Sequence, residues 1–258
     1  MAKIFCVANQ KGGVGKTTTT VNLAAGLAML DQRVLLVDLD PQGNATMGAG
    51  INKSKLTASV YEVLLGMSDV VTARVRSESG RFDVLPANRE LAGAEVEMVS
   101  LENRDKRLRD ALSKVDGDYD FILVDCPPAL SMLTLNGLCA ANGVIIPMQC
   151  EYYALEGLSD LANTIKKVSA NLNPDLKIVG LLRVMFDPRM TLSQQVSDQL
   201  EQHFGDKVFK TLIPRNVRLA EAPSYGIPGV VFDPASKGAQ AYIAFGAEMV
   251  ERIKQLEK

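Results

Sequence analysis

The apolar run Ile4 to Ala8 leads straight into Lys11-Gly12-Gly13-Val14-Gly15-Lys16-Thr17-Thr18, and a helix-like stretch, Lys16 to Leu30, follows at once. A strand that feeds a glycine loop opening a helix narrows the fold sharply, because it requires a buried strand and a helix end that share one focus. Glycines at 12, 13 and 15 admit positive φ and close approach, so backbone N–H groups can turn toward a single anion. The helix adds its unpaired amides and the positive end of its dipole. Residues Gly12, Gly13, Val14, Gly15, Lys16, Thr17 and Thr18 therefore form a candidate phosphate cradle. In this motif the lysine, Lys16, reaches the β- and γ-phosphates, and the Thr17 hydroxyl ligates magnesium. The pattern G-x-x-x-x-G-K-[ST] is not met in full: Gln10 stands where the first glycine belongs, and a second lysine, Lys11, opens the loop.

Further aliphatic runs recur at Val34 to Val37, Phe82 to Pro86, Phe121 to Val124, Val144 to Pro147, Ile178 to Leu182 and Val208 to Ile213. Continuous apolar character without alternation is what strands covered on both faces require, and the spacings suit crossover helices. The expected fold is α/β, with one domain over all 258 residues built as a doubly wound, mostly parallel sheet flanked by helices. Helices are expected at Lys16 to Leu30, Asn103 to Val115, Leu155 to Asn171, Leu192 to Phe204 and Gly238 to Leu256. Gly48 to Thr57, rich in Gly, Asn, Ser and Lys, is the expected mobile loop. Ligands of such sheets gather at the carboxyl ends of the strands, where the glycine loop, Asp38, Asp40 and Asp125 all fall.

A net charge of −2 excludes a globally basic nucleic-acid binder, so any DNA contact has to use a local patch. Cys6, Cys126, Cys139 and Cys150 are scattered without C-x-x-C spacing and read as buried, reduced thiols. The first strand begins within three residues of Met1, leaving no room for a signal peptide, and no apolar stretch approaches a membrane span. The cytoplasm is the expected compartment. Ala241, Phe245, Met249, Ile253 and Leu256 keep helical spacing near the C-terminus and read as a core-facing stripe rather than a membrane anchor.

Two more segments match the loop in order: Val34-Leu35-Leu36-Val37-Asp38-Leu39-Asp40-Pro41-Gln42-Gly43-Asn44 and Phe121-Ile122-Leu123-Val124-Asp125-Cys126-Pro127-Pro128. Together the three resemble the deviant-Walker-A ATPases of the ParA/MinD superfamily, and within it the ParA/Soj partition ATPases. The likeness continues through Met185-Phe186-Asp187-Pro188-Arg189, the run Ile213 to Gly226, and Phe232 to Ala239, so it covers nearly the whole chain. It implies ATP and Mg²⁺ as cofactors, with Asp125 in the magnesium shell, Asp40 orienting the attacking water and Asp38 near the metal. Two carboxylates so close could equally pair with lysines, and their separate roles stay open. It implies that Lys11 crosses a dimer interface to the partner subunit's nucleotide, so that ATP drives homodimerisation. It places Met185, Pro214, Arg215 and Asn216 around adenine, with Asp187 nearby. In ParA-like proteins basic residues at positions matching Arg189 and Arg218 bind nonspecific double-stranded DNA in the ATP dimer. The resemblance further implies that a ParB-type centromere-binding protein stimulates an otherwise slow hydrolysis and that the protein is nucleoid-associated. Arg183 has no assigned role.

Three rivals are weighed. A MinD-like membrane-cycling ATPase needs a basic-flanked amphipathic C-terminal helix, whereas Glu248, Glu251, Arg252, Lys254, Glu257 and Lys258 mix both signs. An iron-protein-type reductase needs paired cysteines in glycine-rich contexts, which Cys126, Cys139 and Cys150 do not match. A nonenzymatic nucleotide-gated scaffold is disfavoured by the retention of Lys11, Lys16, Thr17, Asp40 and Asp125.

Overall fold

A computed structural model describes residues 1–152 and 154–256, with the side chain of Leu256 left out; Glu257 and Lys258 of the C-terminal charge pattern lie outside the described residues. Eight strands form one sheet: β1 (Lys3–Val7), β2 (Val34–Asp38), β3 (Val75–Ser77), β4 (Phe82–Leu85), β5 (Phe121–Asp125), β6 (Gly143–Met148), β7 (Lys177–Phe186) and β8 (Val208–Pro214). Their order across the sheet is β3-β4-β2-β5-β1-β6-β7-β8. Every pairing is parallel except β3 with β4. The seven expected strands are all present. β3 is an addition: three residues, two of them exposed, hydrogen-bonded antiparallel to the edge of the sheet. It is too short to carry a periodic signal.

Side chains along the central strands alternate between two cores. Leu35, Val37, Ile122, Val124, Val144 and Ile146 face one, and Val34, Leu36, Phe121, Leu123 and Ile145 face the other. Both faces are covered, which is why the strands read as unbroken apolar runs. The first core is closed by helices that include Met132–Ala140, Ala154–Asn171 and Thr191–Phe204. The second is closed by Lys16–Met29 and Lys237–Leu256. There Tyr242, Phe245, Met249 and Ile253 are buried, so the C-terminal stripe faces the core as expected. Gly26 and Gly246 let these two helices meet backbone to backbone; a Cβ on Gly246 would lie 3.4 Å from the Gly26 carbonyl carbon.

Two expectations are corrected. The helix expected over Asn103 to Val115 is confined to Arg107–Leu112, flanked on both sides by turns. The stretch Gly48 to Thr57 is folded rather than loose. Ala49 and Ile51 are buried, the Ile51 amide donates to Thr46 O at 3.1 Å, and Ser77 Oγ donates to Ala49 O at 2.7 Å. Gly50 in this stretch has φ +84°, and a Cβ there would sit 2.6 Å from Gly226 O.

Candidate active site

The loop after β1 has Gly13 and Gly15 in the left-handed region, each at φ +74°. A Cβ at Gly12 or Gly13 would meet nothing within 4 Å, so the cradle is open on the side where an anion would enter. Gly15 caps Lys16–Met29 without a side-chain hydrogen bond, which leaves the first amides of that helix for a ligand. The Lys16 ammonium folds back over the loop and donates to Lys11 O at 3.1 Å. Burial lowers its pKa, and the nearby carboxylates of Asp125 and Asp40 work against that shift.

Asp38 and Asp125 end neighbouring strands in register and are both fully buried. Asp125 Oδ2 accepts from Thr17 Oγ1 at 2.8 Å. Thr20 Oγ1 lies 2.9 Å from Lys16 O and 3.0 Å from Asp125 Oδ1, and its single proton can serve only one of them. A proton on Asp125 satisfies that geometry, since Asp125 then donates to Thr20 while Thr20 donates to Lys16 O. Burial, with the Asp38 charge next to it, pushes Asp125 up to about 8. Asp38 is raised to about 6 by burial, against the hydrogen bonds it accepts. Its Oδ2 takes the Thr46 amide at 2.8 Å and the Thr46 hydroxyl at 2.7 Å, and its Oδ1 takes the Asp40 amide at 3.1 Å. Asp38 is thus committed to shaping the turn after β2, and Asp125 is the carboxylate that meets Thr17. Asp40 is half-buried at the mouth of the site, its Oδ1 accepting the Gln42 amide at 2.9 Å.

Hard oxygen donors suit magnesium, which keeps several waters and takes its remaining ligands from phosphates. Thr17 and Asp125 supply that donor set, and among the described residues no cluster of three or more His, Cys, Asp or Glu offers an all-protein metal cage. The group fits the residues present.

Met185, Pro214, Arg215 and Asn216 come together with Gly15 and Thr18 around a 190 Å³ cavity that also includes Tyr242. The four residues expected around a base thus line one cavity. Met185 holds φ +51°, unusual for a side chain of its size. Asn216 Oδ1 caps the following helix, accepting the amides of Arg218 at 2.9 Å and Leu219 at 3.3 Å, so its NH₂ is the group left to face a purine edge. Asp187 is turned away toward Arg189, which donates Nε to Oδ1 at 2.9 Å and Nη2 to Oδ2 at 2.8 Å.

Three residues near the loop escaped the sequence reading. Glu151 Oε2 accepts from Lys11 Nζ at 2.6 Å, with both side chains about half exposed at 49% and 48%. Gln149 Nε2 lies 3.3 Å from Gly13 O and 2.9 Å from Met185 Sδ, joining the phosphate loop to the base site. Thr20 binds Asp125, and its place one turn beyond Thr17 is the one signal that was present in the sequence. Arg189 and Arg218 are exposed, but neither is an unengaged cation: Arg218 Nη1 meets Glu221 at 2.8 Å and its Nε lies 3.4 Å from Asp233. The four cysteines are buried free thiols, as expected.

A family model described as an AAA domain matches residues 2–178. The chromosome partitioning protein ParA of Myxococcus xanthus is 50% identical over 252 residues, covering 98% of this chain and 89% of that protein. The chromosome-partitioning ATPase Soj of Thermus thermophilus is 51% identical over 251 residues, 97% of this chain and 96% of its own. This chain belongs to the ParA/Soj family. A crystal structure described as cobyrinic acid a,c-diamide synthase from Mycobacterium smegmatis, with bound ATP analog and magnesium, superposes with a TM-score of 0.86. It has 41% identity and covers 98% of this chain and 96% of that one. The family's fold is the mostly parallel eight-stranded sheet described above. Among the described residues no helix is long and apolar enough to cross a membrane.

Proposed function

We propose that this ParA/Soj-family protein is a partition ATPase whose ATP-bound form is a homodimer that coats DNA without sequence preference, and whose slow hydrolysis is stimulated by a ParB-type partner. The observation that carries the reading is the division of labour between two lysines of one loop. Lys16 folds inward over the cradle, while Lys11 points to its rim and is held only by the half-exposed Glu151. A surface pair of this kind contributes roughly 0.2–1 kcal/mol, so Lys11 is inexpensive to redirect toward a second subunit's phosphates.

Magnesium, when bound by Thr17 and Asp125, neutralises charge on the terminal phosphates. The amides of Gly12 to Thr18 orient the phosphate chain, and Lys16 places its charge where negative charge builds. Asp40 at the mouth positions the attacking water. Met185, Pro214, Arg215 and the Asn216 NH₂ hold the base. Arg189 and Arg218 supply phosphate contacts that two subunits double, so DNA affinity rises steeply on dimerisation.

Sedimentation velocity with Mg-ATP tests the carrying step: Lys11→Ala is expected to remain a folded monomer, and a normal dimer fraction would refute it. Charge reversal at Arg218 is expected to abolish a salt-dependent mobility shift while leaving the dimer intact.

A further inference from the structure

A cavity of about 900 Å³ lies at the opposite pole from the glycine loop, at the amino ends of β7 and β8. Ladder pairing between these strands is irregular, with register shifts between Leu181 and Arg183 and again before Phe186. Two arginines bond carbonyls of these strands. Arg183 Nη2 donates to Phe209 O at 2.8 Å, and Arg252 Nη1 donates to Val179 O at 3.0 Å. Phe209 packs against Gly180, where a Cβ would approach its ring to 2.5 Å, and Arg252 sits over the ring at 4.3 Å from the centroid.

The lining is cationic in an acidic protein. Lys177, Lys207, Lys210, Arg183 and Arg252 face the cavity against two acids, Glu201 and Asp206. Glu201 is the counterion of Arg183, Glu248 pairs with Arg252 at 3.7 Å and Asp206 lies near it, yet among the described residues Lys177, Lys207 and Lys210 make no side-chain hydrogen bond or ion pair. Arg183 is only 4% exposed, and its buried Nε has no hydrogen-bond partner among the described residues. A buried guanidinium N–H left unpaired costs free energy, and three lysines converging on one opening repel each other until an anion arrives. Lysine suits phosphate as a point charge, and the volume exceeds what a single phosphate fills.

We propose that this cavity is a second ligand site, taking a small polyphosphorylated molecule whose phosphates meet Lys177, Lys207 and Lys210 at its rim, with the buried Arg183 adding positive charge beneath them. The site is independent of the phosphate loop, because in a parallel sheet the amino ends of the strands lie at the far pole from the carboxyl ends that carry Lys16, Asp38 and Asp125. The competing account is that the lysines only guard the exposed edge strand β8 against pairing with another chain.

The test uses the full-length protein saturated with Mg-ADP, so that the phosphate loop is filled, and inorganic tripolyphosphate as the probe. Lysine acetylation footprinting is expected to show saturable protection of Lys177, Lys207 and Lys210, with distant Lys114 unaffected. In calorimetry the double variant Lys207→Glu/Lys210→Glu is expected to lose tripolyphosphate affinity by about tenfold or more while binding ADP as the parent does. Protection that matches the effect of sodium chloride at equal ionic strength overturns the proposal. So does protection by duplex DNA that tripolyphosphate fails to compete. Unchanged tripolyphosphate affinity in the charge-reversed variant, whose fold is checked by its ADP binding, overturns it as well.

Discussion

Replacing Asp125 with Asn should stabilise the ligand-free protein while destroying its response to magnesium. Asp125 and Asp38 are fully buried side by side, and the ordinary Asp value is 3.8 while burial and the Asp38 charge push Asp125 to about 8. The sign is that of a raised carboxylate: the folded chain holds a proton that the unfolded chain releases, so stability is greatest below the unfolded value and falls as pH rises toward the folded one. Three pH units between about pH 4 and about pH 7, at roughly 1.4 kcal/mol each, amount to about 4 kcal/mol lost. The asparagine escapes this term. Its NH₂ can donate to Thr20 Oγ1, whose own proton then goes to Lys16 O, 2.9 Å away, and its oxygen still accepts from Thr17. Allowing half of the total for imperfect repacking leaves about 2 kcal/mol, a gain of roughly 4–8 °C in midpoint for a chain of this size. Thermal unfolding in EDTA at several pH values gives the readout. The variant should melt higher than the parent near neutral pH, with a flatter pH profile, and the order should invert when Mg-ATP is added. A variant that melts lower in EDTA near neutrality, with the parent's pH slope intact, would refute the reasoning.

Other outcomes follow from single contacts. Glu151→Gln removes the tether on Lys11, roughly 0.5 kcal/mol in each of two subunits, and should tighten ATP-dependent self-association about fivefold by sedimentation equilibrium; weaker association would count against the outward path for Lys11. Gln149→Ala unties Gly13 from Met185 and should weaken ADP binding by about three- to tenfold in calorimetry with little change in melting, a large fall in melting being the adverse result. Gly246→Leu forces a side chain between the first and last helices, whose backbones approach within 3.4 Å of its Cβ, and should destabilise the fold by about 1–3 kcal/mol in urea.

Much of this architecture was open to reading because its strands are buried on both sides and announce themselves without alternation. The short elements were not. Helix Val60–Leu65 carries a complete capping box between Ser59 and Glu62, a signal printed in the sequence that the strand-centred reading passed over. Met132–Ala140 is apolar almost all round and shows no stripe to find. At the site, the loop and both strand-end aspartates were legible because local spacing encodes them. Glu151 and Gln149 were not, since they reach the loop across 140 and 136 positions of chain, a proximity that only the β1–β6 pairing creates. The distinct roles of Asp38 and Asp125 likewise came from which hydroxyl each one meets.

The contact between Gly50 and Gly226 links two regions that the chain keeps far apart. One belongs to the segment that trails Asp40, the other to the segment that trails Asn216, and each glycine sits at positive φ with the other's backbone where a side chain would be. A displacement of either segment is therefore passed to the other main chain to main chain, like two teeth in mesh, from the stretch after Asn216 to the stretch after Asp40. With no side chain interposed, any Cβ added at Gly50 would meet Gly226 O at 2.6 Å, so the junction tolerates no graded change in size.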